Sequence, residues 1–395
     1  MLQQRIKKEL EVIKSKGLYR QVRDLAFIDN CHARDRSGKE YLVLSSNNYL
    51  GLTDHPDIKK AAQEALAYGS GSTGSRLTTG GVFAASSLER ELAEFKHTED
   101  ALIFNTGYMT NLGVIFGLAR PGDIIFSDEL NHASIIDGCR ISQAQVVVYK
   151  HSDMTDLAQK LEAWRDHSGE KFIVSDGVFS MDGDIATLPE LVRLKQQYGA
   201  LLLIDDAHAV GVLGADGAGT ASYYHLQGQV DLQVGTLSKS LASEGGYVAG
   251  PRLILDYLRN KSRPFIFSTA LTPVDLAMAQ AALRLLRHKG AELLRHLQAN
   301  TALARELLSA AHLPVLPSAT PIIPLLVGDA TSSSRLAECL YERGIILSAI
   351  RPPTVAPGES RLRLTVTAGL SAAELTQAME TLIAVWQEQA SLSGK

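Results

Sequence analysis

A recurrence constrains this chain most: short apolar runs that end in polar residues, many separated by stretches with helical character. The runs are ALIFNTG from Ala101, DIIFSDE from Asp123, VVVYKH from Val146, FIVSDG from Phe172, LLLIDDAH from Leu201 and DLQVGTLSK from Asp231. Runs returning at intervals of roughly 20–30 residues, with helix-like sequence between many of them, are the pattern of crossover units and a mainly parallel sheet. The runs end on Asn105 and Thr106, Ser127 and Asp128, Ser175 and Asp176, Asp205 and then His208, Thr236 and then Lys239. Ligands of open α/β sheets bind beyond the carboxyl ends of the strands, so a site assembled from several strand ends is expected.

The flanking sequence differs. Ile6, Leu10 and Ile13 share one helical face and Gly17 follows as a C-terminal cap, which predicts a short leading helix. After about Leu285 the chain turns helix-rich and then alternates like strands in TPIIPLLVGD and SRLRLTVTAG. The expected organisation is an N-terminal helix and arm over 1–45, a large α/β domain over 46–285 and a small α+β domain over 286–395.

At 395 residues with 45% hydrophobic and 21% charged residues, the chain can bury a large core. Its net charge of -4, with acids and bases mixed, offers no basic stripe for nucleic acid and no polybasic arm for a membrane. The N-terminus lacks the apolar core of a signal peptide and no run has the length of a membrane span, so a cytoplasmic location is expected. Cys31, Cys139 and Cys339 are widely spaced with no CxxC and no nearby His pair, which suggests neither a disulfide framework nor a metal site. Gly69, Gly71 and Gly74 spell GxGxxG, but they follow a helical stretch where dinucleotide binding requires a strand. That reading is rejected.

The chemistry concentrates in two segments. In LLLIDDAHAVG, Asp205 ends a buried run, where an unpaired charge is costly, so it should have a cationic partner; alone it reads equally as a helix cap or turn former. In GTLSKSLASEGGYVAG, Lys239 stands among small hydroxylated residues and glycines rather than among charges. A pyridoxal phosphate ring satisfies both, because a carboxylate at its ring nitrogen keeps the ring an electron acceptor and a desolvated lysine amine can bond to its aldehyde carbon. FNTGYMTNLGVIFGL supplies a strand, then Asn105-Thr106-Gly107, then a helix whose first N–H groups suit a phosphate, with Thr236 adding a hydroxyl. His132, just past another strand end, reads either as a group stacking on the ring or as a cap. Arg361 and Arg363 alternate with Leu362 and Leu364, which puts both guanidinium groups on one strand face; a solvated face is a serious alternative for Arg361.

SSNNYLGL, GSGSTGSRLTTG, LNHASIIDG, DGVFSMDGD, DDAHAVGVLG and the lysine segment, in this order, resemble the α-oxoamine synthases, pyridoxal-phosphate enzymes of fold type I. The resemblance covers nearly the whole chain and implies a large domain built on a mainly parallel sheet of seven-stranded type, plus a smaller α+β domain. It implies that Lys239 is the Schiff-base lysine, that Asp205 faces the pyridinium nitrogen and that His208 donates to the ring oxygen. By the same resemblance His132 stacks on the ring, Ser180 lies near the ring oxygen, and Gly107, Tyr108 and Thr236 hold the phosphate. Ser268 and Thr269 resemble residues that reach the phosphate from the second subunit of a homodimer with shared active sites. Asn47, His132, Thr354, Arg363 and Arg20 resemble substrate contacts, Arg363 clamping the amino-acid carboxylate, with Arg23 the other candidate for the N-terminal arginine. Within the family, AIRPPTVAPGESRLRLTVTA resembles the biotin-pathway branch, which implies L-alanine and pimeloyl-CoA or a pimeloyl carrier protein as substrates. Asp176 stands where that branch often has Glu, and its role is left open.

Overall fold

The structure, a computed structural model, describes residues 1–393. The chain divides into two compact units, one of Leu52–Ser180 and Ile185–Leu294, the other of Met1–Gly51, Met181–Asp184 and the chain from Arg295 onward.

The first unit is built on a seven-stranded sheet. Its strands lie in the order Asp100–Phe104, Gly246–Gly250, Leu232–Thr236, Leu201–Asp205, Lys171–Asp176, Ile124–Asp128 and Gln145–Tyr149. All six apolar runs are therefore strands, and five form a continuous parallel block. Gly246–Gly250 is antiparallel to both its neighbours, an element that the glycine-rich sequence did not announce. Both faces of the sheet are covered. Leu203, Val174 and Ile125 pack into one apolar cluster while Leu202, Ile204, Ile173 and Phe126 pack into another, which is why the runs read as continuous rather than alternating. Each fully buried Leu, Ile or Phe contributes about 1.5–3 kcal/mol, so the strand ends are held on a rigid base.

The parallel register aligns those ends, pairing Asp176 with Asp205 across neighbouring strands. On the antiparallel side, Gly246 lies between Phe104 and Thr236. A Cβ on Gly246 would sit 2.6 Å from the Gly107 nitrogen, so the residue must be glycine for the helix Gly107–Leu118 to start where it does.

The second unit contains a four-stranded sheet of Leu25–Phe27, His32–Asp35, Glu40–Val43 and Ile345–Ile346, and a three-stranded sheet in the order Ile322–Gly328, Ser360–Thr365 and Ser348–Ile350. Leu362 and Leu364 enter its core, so Arg361 and Arg363 take the opposite face of the strand. The leading helix is Leu2–Ser15, and none of its residues is buried. Among the described residues no helix is long and apolar enough to cross a membrane. The three cysteines are free, with Cys31 and Cys139 buried and their thiols pushed up to about 12, chiefly by burial.

Candidate active site

A cavity of about 220 Å³ opens at the carboxyl ends of the parallel strands. It gathers Gly107, Tyr108, His132, Ser180, Asp205, His208, Thr236 and Lys239 from five separate segments of sequence.

Lys239 is half-buried just past Leu232–Thr236. Thr236 is fixed by its own turn, its hydroxyl lying 2.7 Å from Ser238 Oγ and donating to the Gly245 carbonyl at 2.9 Å. Opposite, Thr106 caps the helix Gly107–Leu118 by accepting from Met109 N at 3.0 Å. The Gly107 and Tyr108 N–H groups have no partner inside the helix, and they face the cavity with Thr236. An anion is favoured at such a terminus. The Tyr108 hydroxyl is directed away, donating to Asp137.

Asp205 is buried at the last position of its strand. Oδ1 accepts from Ala207 N at 2.8 Å and Oδ2 accepts from Asn111 Nδ2 at 2.6 Å. The carboxylate is thereby oriented by an amide and a backbone N–H, the latter bond forming the turn that the sequence offered as the alternative reading. Asp176, beside it, accepts from His132 N at 2.7 Å. Burial, reinforced by the Asp205 charge, pushes the Asp176 carboxyl well above the ordinary range.

His132 takes the cap reading and also reaches the cavity. It caps the helix Ala133–Ser142 by accepting from Ser134 N, and its ring lines the cavity. The ring is recessed yet open to solvent through that cavity, and the recess lowers its pKa; Asp205 opposes the shift and Lys239 adds to it.

Ser268 and Thr269 do not line this cavity. Ser268 lies against Met109 Sδ, and the Thr269 carbonyl accepts from Asn105. In the second unit, both Arg363 terminal nitrogens donate to Asn47 Oδ1 at 3.2 Å, and one also donates to Thr365 Oγ1 at 2.9 Å. The solvated-face reading of Arg361 is corrected: the residue is 4% exposed and ion-paired with Asp182. Arg23 is engaged by Glu338 at 2.5 Å and by the Tyr341 ring at 3.8 Å, whereas Arg20 is exposed near Arg351 and lowers the Arg351 pKa, to which burial contributes more. Thr354 is exposed two residues beyond Pro352.

Sequence reasoning missed Asn111 and Ser134, both fully buried beside the cavity's charged groups. For Asn111 the available signal was a polar residue at i+4 from Gly107 in a largely apolar helix, hence on the face of the helix that its opening residue presents.

The chain matches the aminotransferase class I and II family over residues 39–382. It is 46% identical over 366 residues to an 8-amino-7-oxononanoate synthase of Lysinibacillus sphaericus, covering 92% of this chain and 93% of that protein. It is 46% identical over 382 residues to an 8-amino-7-oxononanoate synthase of Geobacter sulfurreducens, covering 96% and 97%. Among solved structures it resembles a serine palmitoyltransferase of S. paucimobilis with bound PLP and myriocin, with a TM-score of 0.92, 30% identity and 98% of both chains covered.

Proposed function

The chain belongs to the aminotransferase class I and II family, and we propose that it makes 8-amino-7-oxononanoate by condensing L-alanine with a pimeloyl thioester, releasing carbon dioxide and the free thiol. The product is the one in the names of relatives 46% identical over nearly their whole length. The observation that carries the chemistry is the single cavity in which a half-buried lysine, a buried carboxylate and a helix N-terminus meet.

The enzyme uses pyridoxal 5'-phosphate, and the residues present fit it. Gly107 and Tyr108 offer N–H donors for the phosphate with Thr236 beside them, and Asp205 offers an oriented carboxylate for the pyridinium nitrogen. A side chain at Gly107 would project to 3.4 Å from Thr236, into the space between the donors. When bound, the cofactor supplies an electron sink for the carbanion at the amino acid's α-carbon.

Lys239 would hold the cofactor through Nζ, and with L-alanine bound in its place that amine would lie beside the α-carbon–hydrogen bond that breaks and serve as the base for its proton. His132 covers the ring face, while His208 and Ser180 lie at the ring oxygen. Arg363, held by Asn47, binds the amino-acid carboxylate; Arg20 and Thr354 contact the acyl chain. The active unit is a homodimer in which Ser268 and Thr269 of the partner subunit complete the phosphate site, and the enzyme works in the cytoplasm on pimeloyl-CoA or a pimeloyl carrier protein.

Visible spectra of the purified protein with added pyridoxal phosphate test this. A long-wavelength band that responds to L-alanine, changes again on adding pimeloyl-CoA and is absent from Lys239→Ala is expected. No band sinks the assignment of the cavity, and a band that answers only glycine or serine keeps the family and overturns the substrate.

A further inference from the structure

His132 Nδ1 lies 2.7 Å from Ser134 Oγ and accepts from Ser134 N at 3.3 Å. A backbone N–H can only donate, so Nδ1 presents its lone pair there and carries no proton. Ser134 Oγ, beside that lone pair, directs its own proton to Nδ1 and accepts from Asn111 Nδ2 at 2.9 Å. The same amide nitrogen donates to Asp205 Oδ2 at 2.6 Å. Turning the amide over would set Oδ1 against the carboxylate oxygen, which cannot donate. Asn111 Oδ1 is itself buried with no hydrogen-bond partner among the described residues. An unmet buried acceptor is costly, so the residue serves here for its donors.

We propose that Asn111 and Ser134 are positioning residues that hold His132 in the tautomer protonated on Nε2 and tie that choice to the orientation of the Asp205 carboxylate. One line of hydrogen bonds runs from Asp205 through the Asn111 amide and the Ser134 hydroxyl to His132 Nδ1. Because Nδ1 is spent on its own helix, Nε2–H is the group His132 offers to the chemistry. His132 therefore acts as a hydrogen-bond donor, and the α-proton is left to Lys239. The tautomer follows from the hydrogen bonds alone, while its catalytic consequence rests on the cofactor reading above.

The test is nitrogen NMR of the purified protein labelled with ¹⁵N-histidine, with His132→Asn identifying the signal among the 11 histidines. The wild-type protein should show Nε2 protonated and Nδ1 bare. Ser134→Ala removes one hydrogen bond and should lower the ratio of the two tautomers roughly fivefold, whereas Ser134→Thr should preserve it. Asn111→Ala touches neither ring nitrogen, yet it should move the ratio in the same direction. A proton on Nδ1 in the wild type, or a ratio unmoved by Ser134→Ala, overturns the tautomer lock, and a ratio unmoved by Asn111→Ala overturns the tie to Asp205. These readouts need no turnover, so their failure is separate from failure of the spectral test.

Discussion

Lys96→Met should be among the most damaging single substitutions outside the cavity. Lys96 caps the helix Phe83–Phe95, and its ammonium lies wholly inside the protein, 2.7 Å from Asp206 Oδ2, with side-chain exposures of 0% and 1%. It also donates to the Ala218 carbonyl, while Asp206 Oδ1 accepts from Thr220 Oγ1 at 2.5 Å. Thr220 N also donates to Asp206 at 3.3 Å. Methionine fills much of the lysine's volume but leaves a buried carboxylate without its charge partner, which costs about 3–5 kcal/mol. Denaturant unfolding at neutral pH should show that loss. Adding Asp206→Asn to Lys96→Met should recover most of it, because the penalty comes from the orphaned charge rather than from lost packing. Asp206 adjoins Asp205, so the single variant should also bind pyridoxal phosphate more weakly. A loss below about 1 kcal/mol, the range of exposed pairs, would refute the reasoning.

Gly246→Ala places a methyl 2.6 Å from the Gly107 nitrogen, a backbone atom that cannot yield, and should weaken pyridoxal-phosphate binding at least tenfold in a fluorescence titration. Arg363→Ala should raise the KM for L-alanine by about 10–100-fold, the worth of hydrogen bonds to a charged group, with little change in cofactor affinity. Asp176 bears on pH: its folded carboxyl titrates above its unfolded value, so the native state binds the extra proton between the two and stability falls as pH rises through that window. The cost is absent below the ordinary carboxylate value of about 3.9 and complete above the raised one, so Asp176→Asn should gain stability on wild type as pH climbs from the ordinary value through the raised one in melting experiments.

The parallel sheet was legible because burial on both faces demands unbroken apolar runs, and the polar residues that close them mark the ligand end. Lys239, Asp205 and His132 were legible for the same reason. The strand Gly246–Gly250 was not, since its glycines answer to a helix N-terminus packed against them, a close approach that no local pattern encodes. Asn111 hid in an apolar helix, and its meaning depends on Asp205, 94 positions away. Arg361 looked like a candidate for solvent because its partner Asp182 comes from a distant loop. The pair Lys96–Asp206 hid likewise: Asp206 reads as a repeat of Asp205, yet the two carboxylates have different partners and different work.

The central claim is best tested by supplying the pyridoxal-phosphate-loaded protein with L-alanine labelled at its carboxyl carbon, together with pimeloyl-CoA, and counting labelled carbon dioxide against free thiol. Equal release of the two, abolished in Lys239→Ala, is the predicted result. Thiol without labelled carbon dioxide, or release only when glycine or serine replaces alanine, would contradict it.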